Sequence, residues 1–125
     1  MSLEGKKKAI KSYRDLLVWQ KAHNFAKEVI QKSKTFPRNT EATIIKKQLV
    51  GAAVSVPANI AEGYGGHKGS AYKNYLVIAR RSATESDYWL FLSQDLKLIN
   101  GETYQSLWED YKEINAMLSS MIDKL

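Results

Sequence analysis

Apolar residues recur every three or four positions through most of the chain, which is the period of an amphipathic α-helix. The pattern predicts four helices, at about residues 15–34, 41–62, 70–98 and 102–125. The segments between them are short and rich in residues that interrupt helices, and no segment reads convincingly as a strand. Four long helices with short connections pack as an antiparallel up-down bundle, so the predicted fold class is all-α.

The predicted helix starts follow from residues that cap helices. Asp15 precedes the first apolar series, Asn39 or Thr40 precedes the second, and Ser70 precedes the third. Each has a short polar side chain that accepts a hydrogen bond from a free N–H of the first turn. The fourth helix follows the Asn100-Gly101 turn, whose flanks have helical rather than alternating period.

The sequence GYGGHKGS after the second helix contains the residue types of a phosphate-binding loop. That loop requires Gly-Lys-Ser/Thr after a strand, whereas this chain has Lys68 before Gly69 and a helix before both. We therefore interpret the segment as a helix stop, with Gly63 or Gly65 in the left-handed conformation. Pro57 falls inside the same helix and predicts a kink rather than a stop.

The polar sequence NIAEG is the strongest candidate for chemistry within the helices. Asn59 and Glu62 lie three positions apart on one helical face, beside Gly63. With Glu85 or Asp87 across the bundle they would form a polar active site; otherwise they belong to a polar network that fixes helix register. We favour the structural role, because no acid–base partner stands out.

Metal and cofactor chemistry have little support in this sequence. The chain has no cysteine and only two histidines, His23 and His67. The paired Glu-x-x-His motifs of di-iron bundles are absent from it. We therefore predict no metal, no cofactor and no enzymatic activity.

The net charge of +6 conceals an uneven distribution of charge along the chain. Residues 1–81 carry 16 basic and 5 acidic residues, whereas residues 82–125 carry 3 and 8. This asymmetry favours an anionic partner, or self-association between basic and acidic surfaces. Tyrosines 64, 72 and 75, which can stack on bases, are interleaved with the basic residues. The candidate nucleic-acid-binding residues are Lys46, Lys47, Lys68, Lys73, Arg80 and Arg81.

The N-terminal segment and the composition indicate the domain organisation and the cellular location. We expect residues 1–13 to be a flexible basic tail and residues 14–125 to be one domain. No apolar segment approaches the ~20 residues that span a bilayer. The basic start has no apolar run behind it, and the absence of cysteine suits a reducing compartment, so we expect the protein in the cytoplasm.

Some apolar residues lie off the main stripe of their helix, which predicts a further partner surface and hence a homo-oligomer. They are Leu17, Val18 and Phe25 on the first helix and Val77, Ile78, Trp89 and Phe91 on the third.

Three stretches, YRDLLVWQKAHNFAKEVI, QLVGAAVSVPANIAEGYG and SAYKNYLVIARRSATESDYWL, resemble the bacterial four-helix-bundle proteins of the 23S rRNA intervening-sequence family, often labelled S23 ribosomal protein. The resemblance implies an up-down bundle in a ring-shaped homopentamer, without enzymatic activity. A related branch serves as an accessory protein that binds nucleic acid and a reverse transcriptase. Asn59, Glu62 and Glu85 match the motif positions, and the resemblance implies structural or interface roles for them.

Two hypotheses follow. In the first, the protein binds nucleic acid, structured RNA above DNA, through phosphate contacts of the basic residues. In the second, it is a scaffold or accessory protein with a protein partner. The basic half of this chain, residues 1–81, then meets acidic residues between positions 85 and 113 of a neighbouring subunit.

Overall fold

The computed structural model describes residues 9–125 and contains four α-helices. These are α1 (Leu17–Ser33), α2 (Thr40–Gly66), α3 (Gly69–Asp95) and α4 (Gly101–Asp123), preceded by one 3₁₀ turn at Tyr13–Asp15. The described part of the chain has no strand, which confirms the all-α prediction. The predicted tail falls largely on residues 1–8, outside the described residues, and the boundary at residue 13 stays a prediction.

Each helix packs against the next in sequence, and α1 closes the bundle against α4. The pairing of α2 with α3 is antiparallel: Ser55 meets Ser82, whereas Gly63, further along α2, meets the earlier residue Tyr75. The α3–α4 and α4–α1 pairs reverse direction in the same way. The arrangement is the up-down four-helix bundle that the sequence predicts.

The core is a continuous apolar column contributed by all four helices. Burial of a large aliphatic or aromatic side chain contributes about 1.5–3 kcal/mol, so these faces rather than helix propensity hold the bundle together. The largest fully buried apolar side chains are Phe25, Val29, Leu49, Val56, Ile60, Leu76, Leu90, Ile114 and Leu118.

The caps of the first two helices give one confirmed prediction and one wrong prediction. Asn39 caps α2, because its side-chain oxygen accepts a hydrogen bond from the Ala42 N–H at 2.9 Å. Asp15 does not cap α1. Its carboxylate accepts from the N–H groups of Lys11 and Ser12, at 2.8 and 3.2 Å, and so closes a capping box around the 3₁₀ turn.

The connection between α2 and α3 also differs from the prediction. The second helix runs through Gly63 and Gly65 to Gly66, so neither is the left-handed stop. Gly69 takes the left-handed φ of +57° instead, at the first position of α3. Ser70 lies inside that helix rather than at its cap. The helix continues through Pro57, while the kink there stays a prediction.

Gly63 has a packing role that its sequence position did not reveal. A Cβ at this residue would lie 2.7 Å from the Cβ of Tyr75 and 3.1 Å from Cδ1 of Tyr72. Both tyrosines belong to α3, so the missing side chain lets the two helices approach closely at this end of the bundle.

The third helix ends at Asp95, three residues before the predicted end at Leu98. Lys97 has a left-handed φ of 62°, and the Leu98 N–H donates to the Ser93 carbonyl at 2.8 Å. This is the Schellman arrangement that terminates helices, here without the usual glycine. A non-glycine residue, Lys97, therefore supplies the left-handed conformation that ends α3.

The apolar residues expected on a second stripe divide into three groups. Val18 and Phe25 lie in the core, so that expectation is wrong for both. Val77 and Trp89 are half-buried and pack against the core. The side chains that are exposed in the single chain are Leu17, Ile78 and Phe91. Between residues 9 and 125, none of the helices has the length and apolar character needed to cross a membrane.

Candidate nucleic-acid interface

The six candidate basic residues do not form one cluster: Lys46 and Lys47 lie on α2, whereas Lys73 shares a face of α3 with Arg80, two helical turns away. Lys47 and Lys68 are separated by most of the length of α2, about 30 Å at 1.5 Å per residue. Lys46 lies nine residues before Ser55, about two and a half helical turns, and so on the opposite side of α2 from the contact with α3. Of the six, the structure places only Arg80 and Arg81 together beside a groove.

The two arginines lie at an open groove between α3 and α4, with a volume of about 710 Å³, which we call the arginine groove. One wall presents residues 81, 84, 85 and 88 of α3, and the other presents residues 111, 115 and 119 of α4, both at helical spacing. The groove is lined by Arg80, Arg81, Thr84, Glu85, Tyr88, Tyr111, Asn115 and Ser119.

Hydrogen bonds across the groove hold part of its lining in place. Arg80 is half-buried, and its Nη1 donates to Oγ of Ser119 at 3.1 Å. The hydroxyl oxygens of Thr84 and Tyr111 lie 3.1 Å apart, in hydrogen-bonding contact. Each bond joins α3 to α4, so the groove is shaped before any ligand arrives.

The remaining polar side chains decide the charge of the groove. Glu85 is exposed, and its Oε2 accepts a hydrogen bond from Nε1 of Trp89 at 3.1 Å. Arg81 is exposed and Asn115 is half-buried. Two guanidinium groups therefore face one carboxylate, which leaves the groove net positive. Guanidinium stays charged at all physiological pH values and matches phosphate with two parallel hydrogen bonds.

The NIAEG motif forms a polar contact between α2 and α3. Nδ2 of Asn59 donates to the carbonyl and to Oγ of Ser55, at 2.8 and 2.9 Å, and Oγ of Ser55 lies 2.9 Å from Oγ of Ser82. Among the described residues, Glu62 is exposed and stands outside this network. A half-buried polar network of this kind fixes the register of the two helices.

The alternative active site is not assembled. Asp87 faces α4, where Oδ1 accepts a hydrogen bond from the Tyr104 hydroxyl at 2.8 Å. Burial and this carboxylate raise the pKa of the Tyr104 hydroxyl, which keeps the group protonated. Glu85 lines the arginine groove, away from Asn59.

The contact between α1 and α4 is acidic. Lys21 forms an ion pair with Glu113. Burial, together with the neighbouring carboxylates of Glu113 and Glu28, raises the pKa of Asp110. Within residues 9–125, no three His, Cys, Asp or Glu side chains converge in a way that suits a metal ion.

The tyrosines that the sequence placed beside the lysines mostly contact each other. The Tyr64 and Tyr72 rings meet edge to face with centroids 6.4 Å apart, and burial raises the pKa of Tyr72. Tyr75 packs against the His67 ring at 4.7 Å. The sequence reasoning missed Tyr88 and Tyr111, although Tyr88 follows Arg81 by seven positions and so shares its face.

Comparison with known proteins identifies the family. Residues 14–120 match the 23S rRNA-intervening sequence protein family. A crystal structure from Bacteroides thetaiotaomicron, of a protein with unknown function from the S23 ribosomal protein family, is 31% identical with a TM-score of 0.79. The match covers 85% of this chain and 98% of that chain. No curated protein matches the chain. Neither description names an enzymatic activity. The chain belongs to the 23S rRNA-intervening sequence protein family.

Proposed function

We propose that this protein is a non-enzymatic, self-associating cytoplasmic helix bundle that binds structured RNA through its phosphates. The family takes its name from an intervening sequence in 23S rRNA, so RNA is the first ligand class to test. The net charge of +6 supports an anionic partner. Phosphate contacts carry little sequence information, so binding is sensitive to salt and weakly specific.

The observation that carries the proposal is the arginine pair in the groove. Arg80 is held by Ser119 while Arg81 stands exposed beside it, so the groove presents charge with part of its geometry already fixed. Preorganised guanidinium groups lose less conformational entropy when they bind phosphate. The four candidate lysines lie outside the lining of the groove and add longer-range attraction, Lys73 from the same face of α3 as Arg80. They are Lys46, Lys47, Lys68 and Lys73.

Two variants with equal loss of charge test this assignment. R80Q/R81Q and K46Q/K47Q each remove two positive charges, the first pair from the groove and the second from the distant part of α2. Fluorescence anisotropy with a structured RNA and a duplex DNA, across a salt series, gives affinity and salt slope. We expect the arginine variant to reduce the slope of log affinity against log salt by roughly 2, and the lysine variant to reduce it by much less. Equal reductions of the salt slope in the two variants would show that binding depends on net charge alone, and would contradict the assignment of binding to the arginine groove.

Self-association is the second part of the proposal, and the outer face of α2 and α3 supports it. Ile44, Val54 and Ile78 are exposed at 54%, 39% and 42%. Gly51, in the interior of α2, would have nothing within 4 Å of an added Cβ. A glycine inside a helix costs about 1 kcal/mol relative to alanine, and the approach of a neighbouring subunit is a reason to keep it.

Light scattering tests this part. We expect an oligomer, a homopentamer by the family resemblance, and a shift of Gly51→Ala toward the monomer while circular dichroism shows an intact fold. A monomer at all concentrations would contradict the proposal.

A protein-binding scaffold is the alternative function, and the acidic α1–α4 contact favours it. Burial and the nearby carboxylates of Glu113 and Glu28 raise the pKa of Asp110. This surface complements the basic half of the chain. If charge pairing drives assembly, high salt dissociates the oligomer. An oligomer that stays intact at high salt would count against this alternative.

A further inference from the structure

The arginine groove changes in chemical character from one end to the other. Because α3 and α4 are antiparallel, Arg80 lies level with Ser119, and Thr84 lies level with Tyr111. Tyr88 follows Thr84 by one further turn and therefore stands beyond Tyr111. The arginine end and the Tyr88 end are about 12 Å apart along α3, at 1.5 Å per residue.

The arginine end suits one phosphate. Arg80 and Arg81 are adjacent in sequence, and the bond from Arg80 to Ser119 uses one of five guanidinium donors. Arg81 is exposed, so its guanidinium N–H groups are accessible to a ligand. Together they offer two permanent charges and several N–H groups to an oxyanion.

The tyrosine end suits a planar ring. Tyr88 is 53% exposed, and its ring meets Trp89 edge to face, with centroids 5.0 Å apart and planes at 66°. This contact holds the ring, while the exposure leaves area for stacking. Tyr111 is half-buried and packs against the core, where it forms part of the groove wall. Asn115, between the two ends, carries both donors and an acceptor for a base edge.

We infer that the arginine groove binds an unpaired RNA nucleotide, with its base on Tyr88 and a phosphate of the adjoining backbone on Arg80 and Arg81. The inference rests on the proposed RNA-binding function and narrows its ligand class. A base inside a duplex is stacked on both sides and cannot reach Tyr88, whereas a bulged or looped base presents its face. The protein therefore selects RNAs with exposed bases over fully paired RNA.

Anisotropy with two labelled RNAs tests the inference: a perfect duplex, and the same duplex with a single unpaired adenosine. We expect the wild-type protein to bind the bulged RNA more tightly, by roughly 5- to 150-fold, which corresponds to one stacked base. Tyr88→Ala abolishes this preference, so that the variant binds the bulged and the perfect duplex with equal affinity. Phe91→Ala is the matched control, because Phe91 is an exposed aromatic residue of the same helix, at 49%, outside the groove. It retains the preference.

Each other outcome has one meaning. Equal wild-type affinity for both RNAs overturns the unpaired-nucleotide inference and leaves phosphate binding intact. A bulge preference that survives Tyr88→Ala overturns the assignment of the base to this tyrosine. Failure to bind either RNA at low salt overturns the proposed function, and the inference with it. Circular dichroism of each variant checks that the bundle is folded.

Discussion

Gly63→Ala is the substitution whose effect the structure constrains most tightly. The new Cβ would lie 2.7 Å from the Cβ of Tyr75, closer than two such carbons are normally found. A change of side-chain rotamer cannot relieve this contact, because a Cβ position is fixed by the backbone. Relief therefore requires α2 and α3 to move apart where they pack.

The expected magnitude is a balance of two terms. Overpacking of a closely packed site costs about 1–3 kcal/mol. Replacing a helical glycine by alanine gains up to about 1 kcal/mol through helix propensity. We therefore expect Gly63→Ala to lower the free energy of unfolding by up to about 3 kcal/mol.

Gly65→Ala is the matched control, since Gly65 lies two residues later in α2 and an added Cβ there meets nothing within 4 Å. Only the propensity gain applies to it, so it should be neutral or stabilising. Urea denaturation followed by circular dichroism, at two protein concentrations to expose any contribution of assembly, measures both variants. With an m-value of about 2 kcal/mol/M, their midpoints should differ by roughly 0.5–1.5 M. Equal midpoints would refute the close-contact argument.

Three further predictions concern the core, the polar network and the acidic contact. Leu118→Ala, at a fully buried position, should cost about 2–5 kcal/mol in urea denaturation, whereas Leu17→Ala, at an exposed one, should change stability by less than about 0.5 kcal/mol; equal effects would contradict the assigned core. Asn59→Ala removes the two bonds to Ser55 and should lower the free energy of unfolding by about 1–3 kcal/mol; an unchanged midpoint would show that the network does not stabilise the bundle. Asp110 has a raised pKa, so its carboxylate opposes folding once ionised. Asp110→Asn should therefore raise the urea midpoint at neutral pH, and the gain should shrink as pH falls through the raised pKa and vanish below the ordinary value. A gain that persists at acid pH would contradict this origin.

The fold was predictable because helical period is a local property that the apolar positions display directly. The ends of the helices were less predictable, because they depend on backbone conformation. Lys97 takes a left-handed conformation without being glycine, and Gly63 continues its helix although glycine is common just past helix ends. The reason for Gly63 is the approach of Tyr75, which lies on a different helix and leaves no local pattern in the sequence.

The candidate site was predictable in residue type and unpredictable in placement. The arginine pair was visible as charge, but its distance from Lys46 depends on helix rotation and on which helices are neighbours. Tyr111 enters the groove from α4, through a hydrogen bond to Thr84 that joins residues 27 positions apart. Tyr88 could have been predicted from the sequence, since it shares a helical face with Arg81.

The most direct test of the central claim is the affinity of the wild-type protein for a structured RNA across a salt series. If the protein reads phosphates, log affinity falls linearly and steeply with log salt concentration, and R80Q/R81Q flattens the line. Absence of binding at low salt would contradict RNA recognition, and would leave the basic half of the chain as a surface for assembly or for a protein partner.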